Sequence, residues 1–281
     1  MMLMIASSRS GASFSRFGCG FRRAASSLAG GGGSGAPVPV PPGPLPWYAY
    51  SGPPLAVSFS SAVEVAETVL FYVDKGIPGK HLDNIRTIGE KEDKPLVERW
   101  RCTVEVYMQT QLDVATKFGF APDLQGLQGF AEAMAGNIVQ SINSPDGQER
   151  MKELQEVQAQ TWEKLVVRAF GDGAYTQLSS DAVKASSAEI AAAAQKKEFL
   201  DSVERLYHDE LRGMTDPIAQ HDALQTHMVP CYMAAVEAVE GIAGDEGYVA
   251  LQANIHQNMT DPQVANNIGA ALMAVRSKCP I

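Results

Sequence analysis

Apolar residues recur along this chain every three to four positions, and the clearest run lies between Pro95 and Phe118. Val97, Trp100, Val104, Met108, Leu112, Ala115 and Phe118 fall on one stripe of a helix, with Glu98, Arg101, Glu105, Gln109 and Asp113 on the opposite side. A stripe of that width has to be buried, so the segment is expected to be the central post of a helical domain, its charged side facing water. Gly119 stands where a left-handed cap would close it.

The same spacing continues on both sides. Ser61 and Glu64 form a capping-box pattern that opens a helix to about Asp74, and Gly76-Ile-Pro-Gly79 stops it. Residues 80–94 are polar and read as a loop with at most one helical turn. Pro122-Asp123 opens a further helix, with Leu127, Phe130, Met134, Ile138 and Ile142 on one side. Ser144-Pro145 places proline at a first helical position and starts a long helix faced by Met151, Leu154, Gln158, Trp162, Leu165 and Phe170. Gly171-Asp172-Gly173 ends it, and residues 174–185 carry no clear period. Ser186 and Glu189 form a second capping box, which predicts one helix to about Leu211 along Ile190, Ala194, Leu200, Val203 and Tyr207.

Thr-Asp-Pro occurs at 215–217 and again at 260–262, the same opening chemistry used twice. Pro230 is expected to kink or split the segment from Pro217 to Ile242. Tyr248, Leu251, Ile255 and Met259 make another stripe. No segment sustains a period of two between hairpin turns. The predicted fold is all-α, an irregular bundle or array of about seven to nine helices forming a single domain over residues 59–281.

Composition changes abruptly before that domain. No Asp or Glu precedes Glu64, while Arg9, Arg16, Arg22 and Arg23 share residues 1–23 with many serines. An Arg- and Ser-rich, acid-free start is the composition of an organellar transit peptide, mitochondrial by preference and plastid as the alternative. Residues 24–58 form a Gly- and Pro-rich linker and an extended arm that carries Trp47, Tyr48 and Tyr50. These three aromatics fit a partner-binding role for an extended segment laid across a neighbouring subunit; folding back on the helical body is the other reading.

The formal charge is −9, and without residues 1–23 it becomes −13, from 19 basic against 32 acidic groups. So acidic a body repels phosphate backbones, which argues against a nucleic-acid partner. No apolar run is long enough for a transmembrane helix, so any membrane association is expected to come through a membrane complex. Cys19, Cys102, Cys231 and Cys279 are widely spaced and form no CxxC pair, which argues against a disulfide scaffold or zinc module.

The chemical motifs fail on spacing. Gly79-Lys80 lacks both the upstream glycine and the following Ser or Thr of a phosphate loop. Asp172 to Gln177 lacks the third-position acid and sixth-position glycine of a calcium loop. Glu204 and His208 suit a solvated, ion-paired helix face. His227 and Cys231 are one helical turn apart and are weak metal-ligand candidates, with His221 off that face and Pro230 between them; a packed histidine and a buried thiol explain them more simply, and Cys102 reads as buried. Trp100, Tyr107, Phe130, Trp162 and Phe170 could line an apolar pocket, although core packing accounts for them.

No catalytic residue and no cofactor site is predicted. The expected role is a non-catalytic accessory or structural subunit of a mitochondrial multiprotein complex, a respiratory-chain complex or the ATP synthase, on the matrix side and bound to the complex's other protein subunits. The alternatives are a soluble helical carrier or enzyme for an apolar small molecule such as a lipid or quinone, and an assembly factor.

Overall fold

The computed structural model describes residues 59–91, 94–121, 126, 130, 145–259 and 261–280. Among these residues there are nine α-helices and no strand, as the apolar spacing predicts. They are α1 (Phe59–Asp74), α2 (Gly79–Lys91), α3 (Leu96–Lys117), α4 (Pro145–Phe170), α5 (Ser180–Ala194), α6 (Lys197–Asp209), α7 (Pro217–Glu237), α8 (Gly244–Gln257) and α9 (Pro262–Lys278). A 3-10 turn, Leu211–Gly213, joins α6 to α7. The predicted transit peptide, the Gly/Pro-rich linker, the aromatic arm and most of the predicted helix after Pro122 lie outside the described residues.

The helix α4 is the spine of the first half: α1, α2 and α3 pack on it, and α8 from the second half packs on it too. In the second half α5 is the centre, touching α7, α8 and α9. Small side chains let α9 close on α5. Ser187 is fully buried there, its hydroxyl donating to the Lys184 carbonyl at 2.8 Å and accepting from Asn267 Nδ2 at 2.9 Å. One large core runs through both halves, and a smaller one forms where Val65, Val69 and Tyr72 of α1 meet Leu112, Val114 and Ala115 of α3 and Phe118 just past its end.

The helix α3 is the post its stripe predicts, and Gly119 follows it with φ +83°, a conformation that favours glycine. Its charged side does not face water, however. Arg101 and Glu105 keep only 15% and 16% of their side-chain surface, and Thr103, Val106, Thr110 and Gln111 are buried as well. A helix that meets α1, α2, α4 and α7 has no side left for solvent.

Three further expectations need correction. Residues 79–91 form a helix rather than a loop. Leu82 and Ile85 are the buried apolar side chains described in it; they share one face, and a narrow stripe packed on α3 and α4 outweighs a polar average. Asp83 anchors this helix by accepting from Arg168 Nε and Nη2 at 2.8 and 2.9 Å.

The predicted helix from Ser186 to Leu211 is two helices, and its start lies earlier. Ser179 is the cap, accepting from the Ala182 N–H at 3.2 Å, while Ser186 sits mid-helix and bonds back to the Ala182 carbonyl. The break at Gln195 and Lys196 follows from phase: at ~100° per residue a continuous helix would turn Val203 about 180° away from Ala194. Both are fully buried, so the chain must restart. Finally, Pro230 does not split its segment; α7 passes through it unbroken.

Asp261 caps α9, accepting from the Gln263 and Val264 N–H groups at 2.8 and 3.3 Å, with Pro262 at the first helical position as the repeated Thr-Asp-Pro predicts.

Candidate functional site

Two helix faces of matching spacing meet in a cleft. Phe199, Ser202 and Leu206 come from α6, with Glu210 just past its end, and Ala223, Thr226, His227 and Pro230 come from α7. The cleft encloses about 420 Å³. Phe199, Leu206, Ala223 and Pro230 give it an apolar lining, and the Phe199 and His227 rings lie 5.5 Å apart between centroids.

Ser202 Oγ lies 2.8 Å from His227 Nε2, a distance that would suit a nucleophile and its base. The same hydroxyl lies 2.6 Å from the Phe199 carbonyl. A carbonyl can only accept, and assigning the single hydroxyl proton to Phe199 makes Nε2 the protonated ring nitrogen, donating to Ser202. In that arrangement the histidine donates to the serine rather than accepting from it. Burial lowers the His227 pKa, Glu210 works the other way, and Arg205 adds to the lowering. Thr226 Oγ1 also gives its proton away, to the Asp222 carbonyl at 2.8 Å.

Pro230 removes one donor from the α7 backbone. In an unbroken helix the Thr226 carbonyl would receive the N–H of residue 230, and proline has none. Cys231 points to no shared chemistry with His227: it is 2% exposed, and burial pushes its thiol up to about 11 against a small opposing effect from Lys196. Among the described residues no group of three His, Cys, Asp or Glu could hold a metal ion. Trp47, Tyr48 and Tyr50, the predicted partner-binding residues, lie outside the described residues.

A second polar cluster ties α3 to α7. Arg101 Nη1 bonds Glu105 Oε1 at 2.5 Å, and its Nε lies 3.0 Å from Asp222 Oδ1. Burial raises the pKa of both carboxyls against the pull of Arg101. Burial lowers that of His221, the neighbouring Asp222 opposing. The cluster is an internal brace between two helices, where breaking one partner leaves an uncompensated charge.

The large aromatics split between two cores. Trp100 and Trp162 stack at 5.5 Å, and Tyr107 and Phe170 join them, each touching one of the two tryptophans. His256 of α8 closes this group at 5.2 Å from Trp162 and 5.8 Å from Trp100. Burial lowers its pKa to about 3. Phe130 packs on Phe120 in the smaller core, at 5.4 Å. Beside this stack Asn254 is fully buried and fully bonded: Oδ1 accepts from the Leu178 N–H and Gln257 Nε2, and Nδ2 donates to the Thr176 and Ala250 carbonyls, all within 2.7–2.9 Å. The Glu204 carboxylate pairs with Lys278 at 2.7 Å, as an ion-paired surface requires.

The sequence signal for the cleft was present in two parts. Phe199, Ser202 and Leu206 repeat at three and four positions, and so do Ala223, Thr226, His227 and Pro230. Each stripe reads as ordinary core until the turn at Leu211–Gly213 brings the two face to face. No family model, no characterised protein and no solved structure matches this chain.

Proposed function

We propose that this protein works by binding rather than by chemistry, as an accessory subunit of a mitochondrial multiprotein assembly such as a respiratory complex or the ATP synthase. The cleft between α6 and α7 carries the reading. Its serine proton is committed to the Phe199 carbonyl, so the Ser202–His227 pair holds a shape and presents no activated nucleophile. The acid-free, arginine-bearing first 23 residues support the compartment, and the arm with Trp47, Tyr48 and Tyr50 supports a second contact with the assembly. No helix among the described residues is long and apolar enough to cross a membrane, so attachment through other subunits accords with the reading.

Size fractionation of native mitochondrial extract tests it. The protein should elute in a large assembly, and deletion of residues 38–54 should release it while its helical circular dichroism stays unchanged. Elution of the undeleted protein at the size of a single chain would overturn the proposal; retention of the truncated form would remove the arm's part in it.

The size and apolar lining of the cleft also favour a second reading, a carrier of a small apolar molecule. It requires the single-chain particle to carry an extractable lipid.

A further inference from the structure

Every side-chain proton traced in the cleft is already given away. The Ser202 hydroxyl donates to the Phe199 carbonyl, the Thr226 hydroxyl to the Asp222 carbonyl, and His227 Nε2–H to Ser202. The backbone adds no donor on α7 at position 230, where proline stands. What remains is a set of lone pairs: those of the two hydroxyl oxygens, of His227 Nδ1 and of the Glu210 carboxylate. A pocket of acceptors cannot satisfy an anion or a carbonyl ligand. It suits a group made only of donors, with a stem to lie along Phe199 and Leu206.

We propose that the cleft between α6 and α7 receives the side chain of a lysine presented by a partner subunit. The ammonium offers three protons and no acceptor, and its four-carbon stem matches the apolar lining. Charge complementarity points the same way: among the cleft's lining residues Glu210 is the charged one, in a chain of net charge −9. The inference deepens the docking role proposed above by naming what the docking site recognises.

The test titrates the full-length protein with n-butylammonium, n-butanol and butyrate, following the His227 ring protons by NMR, and then with a capped tripeptide carrying a central lysine. Butylammonium should bind about tenfold tighter than butanol, the weight of one charge-assisted hydrogen bond, and butyrate should not bind. The exposed substitution Glu210→Gln should bring the amine down to the alcohol. The lysine tripeptide should behave as the amine does. Equal binding of amine and alcohol, or an amine affinity untouched by Glu210→Gln, overturns the proposal. Binding of the free amine without the tripeptide also overturns it, in favour of a small-amine site. These outcomes are independent of native particle size, so the subunit reading and the lysine site can fail separately.

Discussion

His256 and His227 set two regions of the molecule side by side. The first lies against Trp100 and Trp162 where α3, α4 and α8 meet, and its neighbours offer ring faces. The second sits at the mouth of a cleft, with one nitrogen bonded to Ser202 and Glu210 close enough to favour its charged form. Burial lowers the pKa of both, but only the His256 environment lacks any opposing acid. The stack uses imidazole as an aromatic plate; the cleft uses it as a proton-placing group. A histidine in a helical protein is therefore defined by what its second nitrogen meets, more than by how deeply it lies.

The largest effect should come from breaking the stack. Trp162→Ala removes a side chain that is 1% exposed, and its cost should be about 3–5 kcal/mol in denaturant unfolding. A loss under about 1 kcal/mol would mean the stack does not hold the halves together. Next comes Asn254→Ala, which strands the Leu178 N–H and the Thr176 carbonyl. It should cost about 2–3 kcal/mol, and amide exchange at Leu178 should accelerate. Unchanged exchange there would show that the corner is held by other contacts.

The third comparison uses acid. The folded pKa of His256 lies near 3, below the ordinary histidine value of 6.5, so between those values the unfolded chain binds a proton that the folded one refuses. Stability supplied by the neutral ring is therefore present above pH 6.5 and is lost as pH falls toward 3, at no more than about 1.4 kcal/mol per pH unit. Glu105 and Asp222, whose carboxyls are raised, act with the opposite sign. They cancel in the difference between wild type and His256→Phe, which should show the acid loss in the wild type alone. Parallel pH curves would remove the burial argument.

The smallest effect belongs to the cleft. Ser202→Ala deletes a half-buried hydroxyl and should cost about 1 kcal/mol or less, since His227 can turn to water. A cost like that of Trp162→Ala would make the cleft a structural joint rather than a recognition surface.

How far each element could be read from the chain depended on how much of its burial was local. Residues on a single stripe, such as Leu154, Trp162 and Leu165, announce their helix through spacing. Leu82 and Ile85 are too few to outweigh their polar neighbours, and only the surfaces of α3 and α4 make them a core face. Arg101 and Glu105 look like solvent positions because Asp222, which faces Arg101, lies on a helix far along the chain. The break at Gln195 is present as a phase shift between Ala194 and Val203, yet the capping-box pattern at Ser186 points to one continuous helix. The cleft is the least legible feature, for it arises from the angle between two helices, and its character depends on where three protons go.

The bonds from Asn254 to Thr176 and Leu178 span 78 and 76 residues and have a consequence for synthesis. A ribosome delivers the corner after α4 long before it delivers α8, so two backbone groups of that corner and one face of Trp162 wait together, unclosed. A product terminated ahead of α8 should therefore be a chaperone client rather than a small stable fragment, and the second half of the gene decides whether the first half survives.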